Sequence, residues 1–122
     1  WREETPHFVD FDDSRSGPAI QDLWMLLSGD RASQLSQLRA IMEGYNDFRT
    51  FDPAELRLIE PLRTLRLMHQ SAWIARRRHE PAFQRAFPFF ESERYWSNHI
   101  LALREQCGAL IEEPLNLWGY SA

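Results

Sequence analysis

Helix-boundary signals at Gly17-Pro18, Asp30, Asp52-Pro53, Pro81 and Ser92 cut this chain into apolar segments with a three-to-four-residue repeat, and that spacing admits little but a mainly helical fold. Phe8 to Phe11 is the exception, reading as a short strand, half of a hairpin whose partner lies upstream. Ser14 to Pro18 is the turn after it, with Pro18 near the first helical turn, where its missing N–H costs nothing. A buried helix from Ala19 to Leu27 ends at Ser28-Gly29, and Asp30 caps the next. Leu35, Leu38, Ile41 or Met42, Tyr45 and Phe48 place that second helix over about Arg31 to Phe48. Asp52-Pro53-Ala54-Glu55 reads as a capping box with Pro at the first helical position and Glu at the third. Pro61 predicts a break near Ile59 to Pro61, followed by a long helix to about His79 with Leu62, Leu65, Met68, Ala72 and Ala75 as its buried stripe. Pro81 stops it. Ala82 to Phe90 is then a short turn of helix and an aromatic loop. Ser92 caps a last long helix with Trp96, His99, Leu103, Cys107 and Leu110 near heptad spacing. Glu112 to Ala122 forms an irregular tail whose Leu115, Leu117 and Trp118 dock back on the helices.

A length of 122 residues suits one domain or lobe, and five Trp, eight Phe and three Tyr are enough to fill a core. The formal charge of −4 leaves no overall basic field to draw in nucleic acid. Cys107 is the sole cysteine and cannot pair within the chain, which together with the lack of any metal-type cysteine spacing points to a reducing cytoplasm. No apolar stretch is long enough to span a bilayer, so neither membrane nor nucleic acid is an expected partner.

The chemistry concentrates in Phe8-Val9-Asp10-Phe11-Asp12-Asp13. An apolar strand ending in carboxylates, then a Gly-Pro turn and an apolar helix, is one way to hold a hard cation beside a phosphate, because Mg²⁺ takes one or two carboxylates plus the phosphates of its substrate. Strand alternation would put Phe8, Asp10 and Asp12 on one face, so that Asp10 and Asp12 could share a metal, with Asp13 left as a turn residue. Taken without its context, such a cluster is more often a solvated turn or a helix cap.

The run FVDFDDSRSGPAIQDLWMLLSGD, with IEPLR and AFPFF further on, resembles the aminoglycoside phosphotransferase and choline kinase superfamily, and within it the bacterial stress-response serine/threonine protein kinases. The likeness covers the whole chain but only the C-terminal portion of such a kinase. It implies a helical C-terminal lobe of a protein-kinase-like α+β fold, divided into a metal-binding strand (8–13), a helical subdomain (19–111) and a tail (112–122). By that likeness Asp10 matches the Mg²⁺-binding Asp and Asp22 matches an Asp that braces the catalytic loop through hydrogen bonds. Asp22, set between Ile20 and Leu23-Trp24, is accordingly expected to be partly buried and hydrogen-bonded.

Members of that superfamily carry a His-Gly-Asp segment and a following Asn just before the metal-binding strand, and a Lys-bearing lobe that grips ATP. This sequence holds none of these and starts at Trp1 rather than Met, as expected of a piece whose catalytic base, second metal ligand and nucleotide lobe lie in the missing N-terminal part of the same polypeptide. The implied activity is ATP- and Mg²⁺-dependent phosphoryl transfer to a protein substrate, with ATP as co-substrate and no catalytic base in this stretch. A kinase for an amino sugar or amino alcohol is the alternative within the superfamily. Arg63, Arg66, Arg76, Arg77 and Arg78 on helices that would wall the acceptor site suit such cationic substrates poorly. The remaining alternative is a helical interaction module without chemistry. Arg76-Arg77-Arg78 also reads as a complement to a helix C-terminus, Cys107 as a small core residue, and the four histidines as core or surface, since none has ligand spacing.

Overall fold

The computed structural model describes residues 3–117, and Trp118 with the end of the tail lies outside them. Five α-helices follow in order: α1 (Ile20–Leu23), α2 (Arg31–Asn46), α3 (Ile59–Arg77), α4 (Pro81–Ala86) and α5 (Glu93–Ala109). Two 3₁₀ segments, Trp24–Leu26 and Pro53–Leu58, continue α1 and lead into α3. The mainly α architecture expected of a helical lobe is what forms.

The helix starts sit where the caps place them. Asp30 accepts from the Ser33 N–H at 2.8 Å and opens α2, and the Ser92 hydroxyl accepts from the Tyr95 N–H at 3.1 Å and opens α5. Between α1 and α2 the chain turns through Gly29 at φ +82°, where a side chain would also crowd Ser33, its Cβ 3.2 Å away, so glycine answers both demands. Asp52 caps as expected, accepting from the Ala54 N–H at 3.0 Å, but the helix it opens is 3₁₀ and the capping box does not close. Its Glu55 reaches across the fold instead, accepting from the Ile20 N–H at 3.2 Å and so covering the free N-terminus of α1. Pro61 lies just after the break expected near Ile59 to Pro61. It is the third residue of α3, where backbone N–H groups have no intrahelical partner to lose, and the change of helix type falls just before it at Leu58 and Ile59.

The main core is built around Ile20, Trp24, Leu27, Leu38, Met42, Phe51, Leu56 and Ile59. Leu115 closes it from the tail with Leu117 packed alongside, and Arg31 holds that tail by donating to the carbonyls of Glu113 and Pro114 at 2.7 and 3.0 Å. Beyond this core α3 runs on with α5 against it, and an aromatic group of Trp73, Phe83, Phe87, Phe90, Tyr95 and Trp96 packs around the far end.

Three expectations are corrected here. No strand forms among the described residues: Phe8 and Val9 are 83% and 82% exposed, with no neighbouring strand to supply the ladder that extended backbone needs. On α3, Leu65, Met68 and Ala72 face solvent while Ser71 and Ile74 are buried, because α5 docks on the adjacent side of the helix. On α5, the side facing α3 carries Tyr95, His99 and Gln106, which leaves Trp96, Cys107 and Leu110 exposed.

Candidate functional site

The Ser14 N–H donates to the Phe11 carbonyl at 3.0 Å and closes a turn with Asp12 and Asp13 at its corners. Asp10, just before it, adopts φ +68°, a left-handed conformation that Asp tolerates better than most residues. That conformation breaks the period-two alternation, so Asp10 and Asp12 are not paired on a strand face as the sequence suggests. All three carboxylates are exposed, and among the described residues none makes a hydrogen bond or ion pair. No group of three or more His, Cys, Asp or Glu is gathered for a metal among the described residues. The chemistry of the donors nevertheless suits a hard cation. One or two carboxylates with uncommitted lone pairs, at a turn open to solvent, suit an ion that completes its shell with water and nucleotide phosphates.

Asp22 is exposed and no hydrogen bond to its side chain forms among the described residues, which corrects the expectation of partial burial. The physical reason is helical phase. Ile20, Trp24 and Leu27 define the core side, and a residue two places after Ile20 lies roughly 200° around the helix from it. Any bracing role for Asp22 must therefore be directed outward from this lobe.

Two polar networks between α3 and α5 are not signalled by the apolar pattern. Gln106, buried, has its Nε2 3.0 Å from Glu60 Oε2, 3.0 Å from Thr64 Oγ1 and 3.3 Å from the Glu60 carbonyl, and Arg63 meets Glu60 Oε1 at 2.6 Å. Further along, the buried Ser71 hydroxyl pairs with the Tyr95 hydroxyl at 2.9 Å and lies 3.4 Å from His99 Nδ1. Nothing local marks them, since Ser71 follows His69-Gln70 and Gln106 follows Arg104-Glu105. Both networks tie the helices together, and neither brings a metal set or an opposed nucleophile and base to open space.

Comparison with known proteins places the carboxylate turn inside a recognised region. Residues 1–59 match the phosphotransferase enzyme family. The chain is 52% identical over 117 residues to stress response kinase A of Escherichia coli O157:H7, 51% to the protein of that name in Shigella flexneri, and 51% to serine/threonine protein kinase RdoA of Salmonella typhimurium. Each match takes in 96% of this chain, which spans 35% of the length of each relative.

Proposed function

We propose that the polypeptide carrying this chain is an ATP- and Mg²⁺-dependent serine/threonine protein kinase, on the premise that the chain is homologous to the stress response kinases and matches the phosphotransferase enzyme family over residues 1–59. The observation that carries this reading is identity of about half the residues along 96% of the chain to proteins named as kinases. Support comes from the position of the carboxylate turn within the matched residues and from its donor chemistry.

In this reading Asp10 holds the metal, with Asp12 as the second oxygen donor. When bound, Mg²⁺ supplies charge neutralisation at the nucleotide phosphates. The contribution of this chain is placement: exposed carboxylates that need break no hydrogen bond before binding, set on a turn that leads through Gly17-Pro18 into a core-anchored helix. The base that orients the attacking hydroxyl and the lobe that grips ATP belong to the rest of the polypeptide.

Asp10→Ala in the full-length protein should lower phosphoryl transfer from ATP by on the order of a thousandfold, the loss expected when several kcal/mol of charge stabilisation disappear. Circular dichroism should be unchanged, since the side chain is exposed and unpaired. Near-normal turnover in that variant overturns the assignment. Radiolabel transfer to generic protein, set against aminoglycoside and choline acceptors, separates the protein-kinase reading from the small-molecule one.

A further inference from the structure

Between Glu60 and Glu80 the chain contains no acidic residue but five arginines and two histidines, a concentrated positive stretch in a chain of net charge −4. Most of it falls on α3. The side of α3 left open by α5 exposes Leu65, Met68, Ala72 and Trp73 beside Arg66, His69 and Arg76. Leu65 is 61% and Met68 54% exposed, values at odds with a fully partnered surface. Among the described residues Arg66, His69 and Arg76 have no carboxylate partner, whereas Arg63 is paired with Glu60 and Arg77 lies over the Trp73 ring at 4.9 Å.

The surface is shallowly hollowed as well as basic. Two adjoining hollows of about 390 and 330 Å³ lie between the Trp24–Leu26 segment and α3, and Trp24, Met25 and Arg66 line both. Leu62, Leu65 and His69 extend the first, and Leu67 and Gln70 the second. Trp24, which lines both hollows, is itself buried and anchors their inner wall to the main core.

We propose that this groove docks an acidic segment of a partner protein, with an apolar side chain seated against Met25, Leu62 and Leu65 and carboxylates on Arg66, His69 and Arg76. Charge complementarity chooses the sign of the partner, and the chain's use of arginine for all fourteen of its basic residues suits planar carboxylates. The floor of Met25, Leu62 and Leu65 is aliphatic, which suits an apolar peptide side chain better than nucleobases, whose usual platforms are aromatic rings. Docking of this kind involves no nucleotide, so it can be read without phosphoryl transfer.

The test uses the full-length protein and a fluorescein-labelled synthetic peptide rich in Asp and Glu with one Leu and one Phe, followed by anisotropy without nucleotide. Salt-sensitive binding is expected, weakened at least about tenfold by the double substitution Arg66→Gln with Arg76→Gln and, separately, by Leu65→Asn, as for removal of paired charges or an apolar anchor from a docking site. Leu101→Asn, at an exposed site on α5, should leave affinity unchanged. Melting curves identify any variant that fails to fold, and in that case Arg66→Gln alone decides. The proposal is overturned by equal binding of a peptide with Asn and Gln in place of its acids, by no saturable binding in the wild type, or by affinity indifferent to the groove variants. It is equally overturned if a thymidine oligonucleotide or phosphatidylserine vesicles bind more tightly and with the same variant dependence. Because no phosphoryl transfer is read, inactivity of Asp10→Ala has no bearing on the outcome.

Discussion

Asp30 shows how much one exposed side chain does. Its carboxyl is held below the ordinary value of 3.8, first by the Ser33 backbone N–H and then by the Ser33 side chain, with a small opposing effect of burial. A lowered folded-state pKa means that the cap is fully stabilising above the unfolded carboxylate range and is lost as pH falls through the lower folded value. Asp30→Asn retains an oxygen that can accept from Ser33 but cannot titrate, so it should narrow the stability gap to wild type as the solution is taken below about pH 4. Thermal melts from neutral to acidic pH would show it, and a gap that stays constant throughout would contradict the cap's role. Caps of this kind are legible in sequence because donor and acceptor lie within three residues of each other. Glu55 was not, since nothing local says that its carboxylate will prefer the Ile20 N–H to closing its own box.

At the scale of elements, the pairing of α3 with α5 is decided by polar groups. Gln106 places its amide among Glu60 and Thr64 while Arg63 holds the other carboxylate oxygen of Glu60, so a half-buried charge is satisfied from two helices. Gln106→Leu keeps the volume and removes the donor, and should cost about 1–3 kcal/mol in chemical denaturation, the usual range for losing a hydrogen bond to a charged group. A neutral or stabilising result would show that water replaces the amide. Both helices offer more than one apolar stripe, and on α3 the periodicity favours Leu65, Met68 and Ala72 as readily as the stripe that is used. The choice fell to the side of Ser71 and Ile74, where the Ser71 hydroxyl meets Tyr95 and His99 on α5 and Ile74 is buried beside it. Periodicity counts apolar residues and is blind to which polar ones will find each other.

For the whole molecule, apolar burial is uneven. Leu38 is fully buried in the main core, and Leu38→Ala should cost about 2–5 kcal/mol with little relief from collapse, measured as a drop in unfolding free energy. A loss below about 1 kcal/mol would mean that this core is far looser than its burial implies. By contrast Phe8, Val9 and Phe11 stand in solvent, and the apolar-basic side of α3 is bare. No helix among the described residues is long and apolar enough to cross a membrane. From its residues alone this chain determined where the capped helices start and that Asp10, Asp12 and Asp13 lie next to one turn, because each of these depends on hydrogen bonds and torsions spanning a few residues. Only the tertiary structure decided that Asp22 points outward, that the run ending in those carboxylates has no ladder, and which sides of α3 and α5 are buried. Those outcomes depend on contacts between distant segments, whose free energy no local pattern contains.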